Sequence, residues 1–271
     1  MMKSIRAVWM MVAFVACCSA DLWGNDRKFA YVYETSVLPV GAREIEIWNT
    51  YRNNRGSFYR RLDQRVEFEF GVSNNVMSAL YLNTSWREQD ANGNTAGGDA
   101  VSSSSVSISN EWKFKILDRV ADPIGLGLYT EATLGLDEVE LEGKLLLDKQ
   151  LGKWLVAFNA VAENEWATEL VSGETHTSSE FTAEFDLGIA YALRRNFSIG
   201  LEVRNHNEIV KGAWKHSALF AGPVISYSAD TWWATLTVLP QVASFKGATA
   251  GNLVLDGHER LEARLLFSFH L

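Results

Sequence analysis

A chain of 271 residues with 33 acidic and 25 basic side chains carries a formal charge of -8, a poor surface for nucleic acid. Aromatic residues make up 12% of it, and the 4 prolines and lack of a low-complexity linker favour one large domain over two. Both cysteines, Cys17 and Cys18, fall in the first twenty residues, so the chain beyond them holds no disulfide.

Residues 1–20, MMKSIRAVWMMVAFVACCSA, set Lys3 and Arg6 before an apolar core from Ala7 to Ala16 and small residues at Cys18 and Ala20. This is the pattern of a secretory signal peptide cleaved before Asp21. A retained membrane helix would need about 20 apolar residues, and this run meets Asp21, Asn25, Asp26 and Arg27 first. Phe14, Val15 and Ala16 ahead of Cys17 also have the order of a lipidation box, although Phe fits its first position poorly. Cleavage removes Lys3 and Arg6, two of the 25 bases, and moves the formal charge from -8 to -10. Residues 21–41, in which Phe29, Tyr31 and Tyr33 alternate, are expected to form a periplasmic N-terminal segment, a short plug or an extra strand.

From Ala42 onward the period is two. In the first strand Ile45 and Ile47 alternate with Glu44, Glu46 and Trp48, before the polar run NTYRNNRGS. The second sets Leu62, Val66, Phe68 and Phe70 against Asp63, Arg65, Glu67 and Glu69. Residues 74–86 and 106–116 are the third and fourth, the latter with Trp112, Phe114 and Ile116 on its apolar side. The fifth opposes Leu126, Leu128, Ala132 and Leu134 to Tyr129, Glu131 and Thr133. The sixth opposes Val139, Leu141, Leu145 and Leu147 to Glu138, Glu140, Glu142 and Lys144. In the seventh, Trp154, Val156, Phe158, Ala160 and Ala162 face away from Asn159, Glu163 and Glu165. The eighth separates Phe181, Ala183, Phe185, Leu187 and Ile189 from Glu180, Thr182, Glu184 and Asp186. The ninth separates Phe197, Ile199, Leu201 and Val203 from Glu202 and Arg204. Pro223 and Pro240 interrupt the tenth and eleventh, which predicts an edge or bulge there. The twelfth, LEARLLFSFHL, puts Leu261, Ala263, Leu265, Phe267, Phe269 and Leu271 opposite Glu262, Arg264, Leu266, Ser268 and His270.

Short links join strands two to three, four to five, six to seven, eight to nine and ten to eleven. The looser ones, YRNNRGSF, residues 87–105, 167–178, 206–214 and 243–257, each follow an odd strand; the link around Gly135 to Asp137 is the one short member of that set. That segregation predicts an all-β fold: a closed antiparallel transmembrane β-barrel of twelve strands over residues 42–271, with both termini periplasmic. A periplasmic or secreted β-sandwich also produces alternation. Three features favour the barrel: consecutive inward acids such as Glu138, Glu140 and Glu142, strands of nine or more residues, and aromatics near strand ends. Those aromatics, expected at the membrane interfaces, are Trp48, Tyr51, Tyr59, Trp86, Trp154, Trp166, Tyr191, Tyr227, Trp232 and Trp233.

The signal peptide, the repeated amphipathic strands and a last strand with Phe267 and Phe269 at alternate positions resemble Gram-negative outer-membrane proteins. That resemblance implies the outer membrane as location, lipid and lipopolysaccharide as surroundings, and recognition of the last strand by the barrel assembly machinery; such strands usually end in Phe, where this one has Leu271. The opening FAYVYETSVLPVGAREIEIWNT is similar to uncharacterised barrels near the phenol-degradation-pathway (MetA-type) transporters, with no site residue to carry over.

With this phase the expected lumen lining is acidic. Glu44, Glu46, Asp63, Glu67, Glu69, Glu131, Glu138, Glu140, Glu142, Glu163, Glu165, Glu180, Glu184, Asp186, Glu202 and Glu262 outnumber Arg65, Lys144, Arg204 and Arg264. A wet lumen of that kind makes a passive, cation-favouring channel for small solutes; a narrow one makes a closed structural or adhesive barrel in which the charges pair. An embedded lipid hydrolase would need a serine activated by a histidine, for which His176 and Ser178 are the nearest candidates. No catalytic set, cofactor motif or metal spacing is read: Glu88, Asp90 and Asp99 match no calcium loop, and His206, His216, His258 and His270 have no zinc spacing.

Overall fold

The computed structural model describes residues 26–91 and 99–271, so the expected signal peptide lies outside the described residues, as does the centre of the 87–105 connection. Alternation from Arg43 to His270 forms twelve antiparallel strands: β1 Arg43–Asn53, β2 Tyr59–Ser73, β3 Val76–Asp90, β4 Ala100–Leu117, β5 Gly125–Gly135 and β6 Glu138–Leu151, then β7 Trp154–Val171, β8 Glu174–Arg194, β9 Phe197–Val210, β10 Ala213–Ser228, β11 Trp232–Lys246 and β12 Leu261–His270. Each pairs with its neighbours in sequence, and β12 closes on β1 with Glu44 opposite His270 and Asn53 opposite Leu261. Closure leaves no edge strand, which is the condition lipid places on a sheet.

The burial pattern is that of a soluble protein turned inside out. Val66, Leu80, Ile108 and Leu201 are 46, 56, 58 and 60% exposed, while Glu46 and Glu67 are at 0 and 1%. Exposed rings mark two levels: Trp154, Tyr227 and Phe269 near the short turns, and Tyr51, Trp86, Trp166 and Trp214 near the other end. Tyr191 and Trp232 extend the first level, packing against Trp154 and Phe267 respectively. At about 3.3 Å per residue and a tilt of about 40°, the stretch from Trp154 to Trp166 rises about 30 Å, the thickness of a hydrocarbon core. Trp48, Tyr59 and Trp233 depart from the expected girdle: all three are buried inside, because they share the inward phase of Glu46, Arg61 and Thr235.

Two expected loops are strand instead. Residues 167–178 and 206–214 continue their ladders to Val171 and Val210, and two-residue turns return the chain. Ser172 and Gly173 have φ of 53° and 86°, and Lys211 and Gly212 of 50° and 74°. Positive φ at both central residues is the type I′ turn, whose twist matches that of the strands it joins. Polar composition there reflects strand that has left the apolar belt, so β8 is exposed from Glu174 to Phe181. Likewise β3 and β4 reach Asp90 and Ala100, further than the loop expected over 87–105 allowed. Near the prolines β10 and β11 slip register between Ser217 and Ala218 and between Leu219 and Phe220.

Two segments outside the ladder lie in the interior. Residues 26–42 form no strand, yet Phe29, Ala30, Val32 and Leu38 are fully buried. Phe29 and Val32 pack with inward Leu155, Ala157, Ala190 and Val224; Leu38 packs with Met77. At the opposite end the β11–β12 connection, residues 247–260, turns inward and buries Val254, Leu255, His258 and Glu259.

Candidate functional site

Inward polar side chains of the lower barrel act as acceptors for the backbone of residues 26–42. Glu202 on β9 accepts the amide hydrogens of Tyr31 and Val32 at Oε1 (2.8 and 2.9 Å) and of Ala30 at Oε2 (3.2 Å). Asn159 on β7 accepts from Tyr33 N (2.6 Å) and donates back to its carbonyl (2.9 Å). Asp148 on β6 accepts from Thr35 N (2.9 Å) and Thr35 Oγ1 (2.7 Å). A segment without a ladder must find such partners, since an unmade buried hydrogen bond costs about 1–3 kcal/mol.

Glu34 completes this anchorage. It accepts from Lys28 N (2.6 Å) and pairs with Arg119 in the β4–β5 turn, which also lies 3.6 Å from Asp148. Burial alone would raise the Glu34 carboxyl; Arg119, the Lys28 amide and the Lys28 charge outweigh it and hold the group below its ordinary value.

Above the segment an interior cavity of about 290 Å³ opens among β1–β9 and β12, floored by Tyr31 and Tyr33. Its walls carry opposite charge. Arg52, Arg61, Arg65 and Arg264 line the side of β1, β2 and β12, where Asp63 pairs with Arg52 and Arg61; Glu131, Glu138, Glu140, Glu142 and Glu163 line β5, β6 and β7 with Lys144 among them. Register makes the second wall dense, because Glu131 faces Glu142, Glu142 faces Glu163, and Glu140 faces Glu165. Arg65 bridges the walls through Glu131 (3.0 Å), and Lys144 pairs with Glu142 (3.0 Å). Arg204 binds Glu184 (2.6 Å) and Glu262 (3.0 Å).

Cations also stack on the floor: Arg264 lies 3.8 Å from the Tyr31 ring, and Lys144 and Arg27 each lie 4.2 Å from that of Tyr33. Burial pushes both phenols up, so the floor is neutral.

The expected lining residues therefore divide. Asp63, Arg65, Glu131, Glu138, Glu140, Glu142, Lys144, Glu163, Glu184, Arg204 and Arg264 bound the cavity. Glu44, Glu46, Glu67, Glu69 and Asp186 are buried in the interior; Glu202 holds the N-terminal segment, and Glu262 is engaged by Arg204 and Arg52. Glu180 sits exposed at the rim. Among the cavity's own residues seven carboxylates meet six cations, a much closer balance than the sixteen against four read from alternation. Arg52 and Arg61 account for part of the difference, and continuing the period of β1 from Glu46 through Thr50 would have placed Arg52 inside. The tyrosine floor was legible as the alternation of Phe29, Tyr31 and Tyr33, but the extra strand this allowed does not form, since the segment is held by side chains rather than by a ladder.

Of the hydrolase candidates, His176 and Ser178 lie exposed on β8 instead of in a loop. The Ser178 hydroxyl donates to the Ala167 carbonyl at 3.5 Å, and His176 stands opposite Glu169 in the ladder. Three histidines with no spacing signal do meet: His206, His216 and His258 bring one ring nitrogen each within 4.8 Å of the others. Burial, with His206 and His216 beside it, holds the His258 imidazole well below its ordinary value and therefore neutral.

Residues 23–271 match the model of DUF6662, a family of unknown function. The chain belongs to that family. No curated protein is similar to this DUF6662 member. Among solved structures, it is similar to the COG4313 outer membrane channel from Pseudomonas putida F1, at 11% identity and a TM-score of 0.59 over 88% of this chain and 98% of that one. It is also similar to the NanC porin, at 13% identity and a TM-score of 0.53 over 84% and 100%. The translocator domain of autotransporter NalP from Neisseria meningitidis gives 9% and 0.53 over 85% and 88%. At such identities the likeness is one of fold. The DUF6662 member has the fold of the outer-membrane barrels, and its apolar exterior suits that membrane.

Proposed function

We propose that this barrel is an outer-membrane channel for small solutes, held closed in this conformation by residues 26–42. The observation that carries the reading is the 290 Å³ charged cavity, inside an apolar exterior and resting on that segment. Similarity to a channel and a porin supports the same class. The first residues of β1, the last residues of β12 and the turns from even-numbered to odd-numbered strands then face the periplasm, β12 serves as the signal to the assembly machinery, and lipopolysaccharide surrounds the upper rings.

Opposed walls favour a solute that carries charge, with the aromatic floor contacting its apolar part. A small organic molecule meets that description, in keeping with the resemblance to phenol-pathway transporters. Since cations nearly balance acids in the cavity, the preference for cations is modest and comes from Glu138, Glu140, Glu142 and Glu163.

A closed structural barrel is the second reading, favoured by the dense bonding of residues 30–35 to Glu202, Asn159 and Asp148. Planar-bilayer recording of the refolded protein separates the two. The channel reading expects discrete conductance with cations permeating more readily than anions; silence under all voltages sinks it, and anion preference overturns the role of the acidic wall.

A further inference from the structure

At the long-connection end of the barrel, imidazoles from three separate elements converge: His206 from β9, His216 from β10 and His258 from the inward-turned 247–260 segment. The Nε2 atoms of His216 and His258 are 2.7 Å apart, with ring planes crossed at 86°. His206 meets His258 edge-on, at 4.5 Å between centroids. A proton shared between two imidazoles needs only two rings. The third, brought to the same point, is what a tetrahedral ion uses.

Carboxylates stand where such a site needs them. Glu184 Oε2 lies 3.0 Å from His206 Nδ1, a placement that steadies the ring by one nitrogen and leaves the other to ligate. Glu208 Oε2 lies 3.4 Å from His216 Nε2, within reach of a fourth coordination position. The guanidinium of Arg204, which lies 3.4 Å from His206 Nδ1, is paired with Glu184 and Glu262. The segment bearing His258 is aimed by Gln241, which donates to the carbonyls of Val254 and Glu259 and accepts from Val254 N. It also passes so close that a Cβ on Gly257 would stand 2.7 Å from His216 Cε1.

We propose that His206, His216 and His258 bind one first-row divalent transition ion, with Glu208 as the additional ligand, and that the ion clamps the 247–260 segment inside the barrel mouth. Three imidazole nitrogens select zinc, copper or nickel over magnesium and calcium, which take oxygen ligands.

The test uses the full chain refolded in detergent, stripped with a chelator and titrated with Zn2+ by calorimetry and with Co2+ by visible absorption. One equivalent should bind, with a Kd of about 1 μM or below. His258→Gln should weaken binding by more than about 100-fold, beyond the usual cost of losing an outer-shell partner. His176→Gln, exposed on β8, should bind as the parent does. His258 belongs to no strand, so its variant keeps every ladder; heat-dependent gel mobility checks that the barrel has formed. Zn2+ should also slow proteolytic cleavage within 247–260 in the parent and not in the variant. Absence of stoichiometric binding, equal binding by His258→Gln, or cleavage indifferent to Zn2+ overturns the proposal. Each readout is independent of conductance.

Discussion

The Glu34 carboxylate joins the backbone amide of Lys28 to the side-chain guanidinium of Arg119, two groups far apart in sequence. Charged groups facing it are Lys28, Arg119, Asp148 and Lys113. Because its folded value lies below the ordinary 4.5, its contribution is complete above that value and is lost as pH falls through the depressed one. Lowering the pH from 6 to below 4 should therefore expose residues 26–42 to protease in the parent. Glu34→Gln should be more readily cut at pH 6 already and should change less with acid; an identical acid response in the two would remove Glu34 from the anchorage. Local patterning could not have identified this residue, since its partner Arg119 lies in a turn whose place beneath the segment follows from barrel closure.

At the scale of elements, the hairpin ends on the long-strand side test how the ladders are finished. Gly173 and Gly212 occupy positive φ with nothing within 4 Å of a added Cβ, so substitution there acts through backbone strain alone. Gly212→Val should lower unfolding stability by about 1–2 kcal/mol, with Gly212→Asn losing less, measured from the urea midpoint of the lipid-refolded barrel. Equal midpoints for the parent and Gly212→Val would contradict the type I′ assignment. The Ser-Gly and Lys-Gly pairs were readable as turn signals. Polarity masked them, because strands that project beyond the membrane lose their apolar face while their backbones continue to pair, as from Thr175 to Ser179 on β8.

For the whole molecule the decisive contact is between the N-terminal segment and the wall. Glu202→Ala deprives three amide hydrogens, those of Ala30, Tyr31 and Val32, of their acceptor at about 1–3 kcal/mol each. Its predicted result is easier cleavage of residues 26–42, with the barrel still resistant, and longer or larger open events in bilayer recordings. A variant whose segment is released yet conducts no better than the parent would favour the closed structural barrel.

Strand number and order, and the face turned to lipid by every strand except β3, β10 and β11, were determined by the sequence alone, because a closed antiparallel sheet repeats one local rule twelve times and side-chain period is a local property. Glu202, Arg204, Glu262 and Arg264 were accordingly placed inward from their neighbours only. What those residues engage was decided by tertiary structure. Closure brings β9 against residues 30–32, β12 against β1 and the 247–260 segment against β9 and β10. Whether an inward acid faces water, a guanidinium or a backbone amide, and whether three scattered histidines meet, depends on contacts across the barrel that have no period in the sequence.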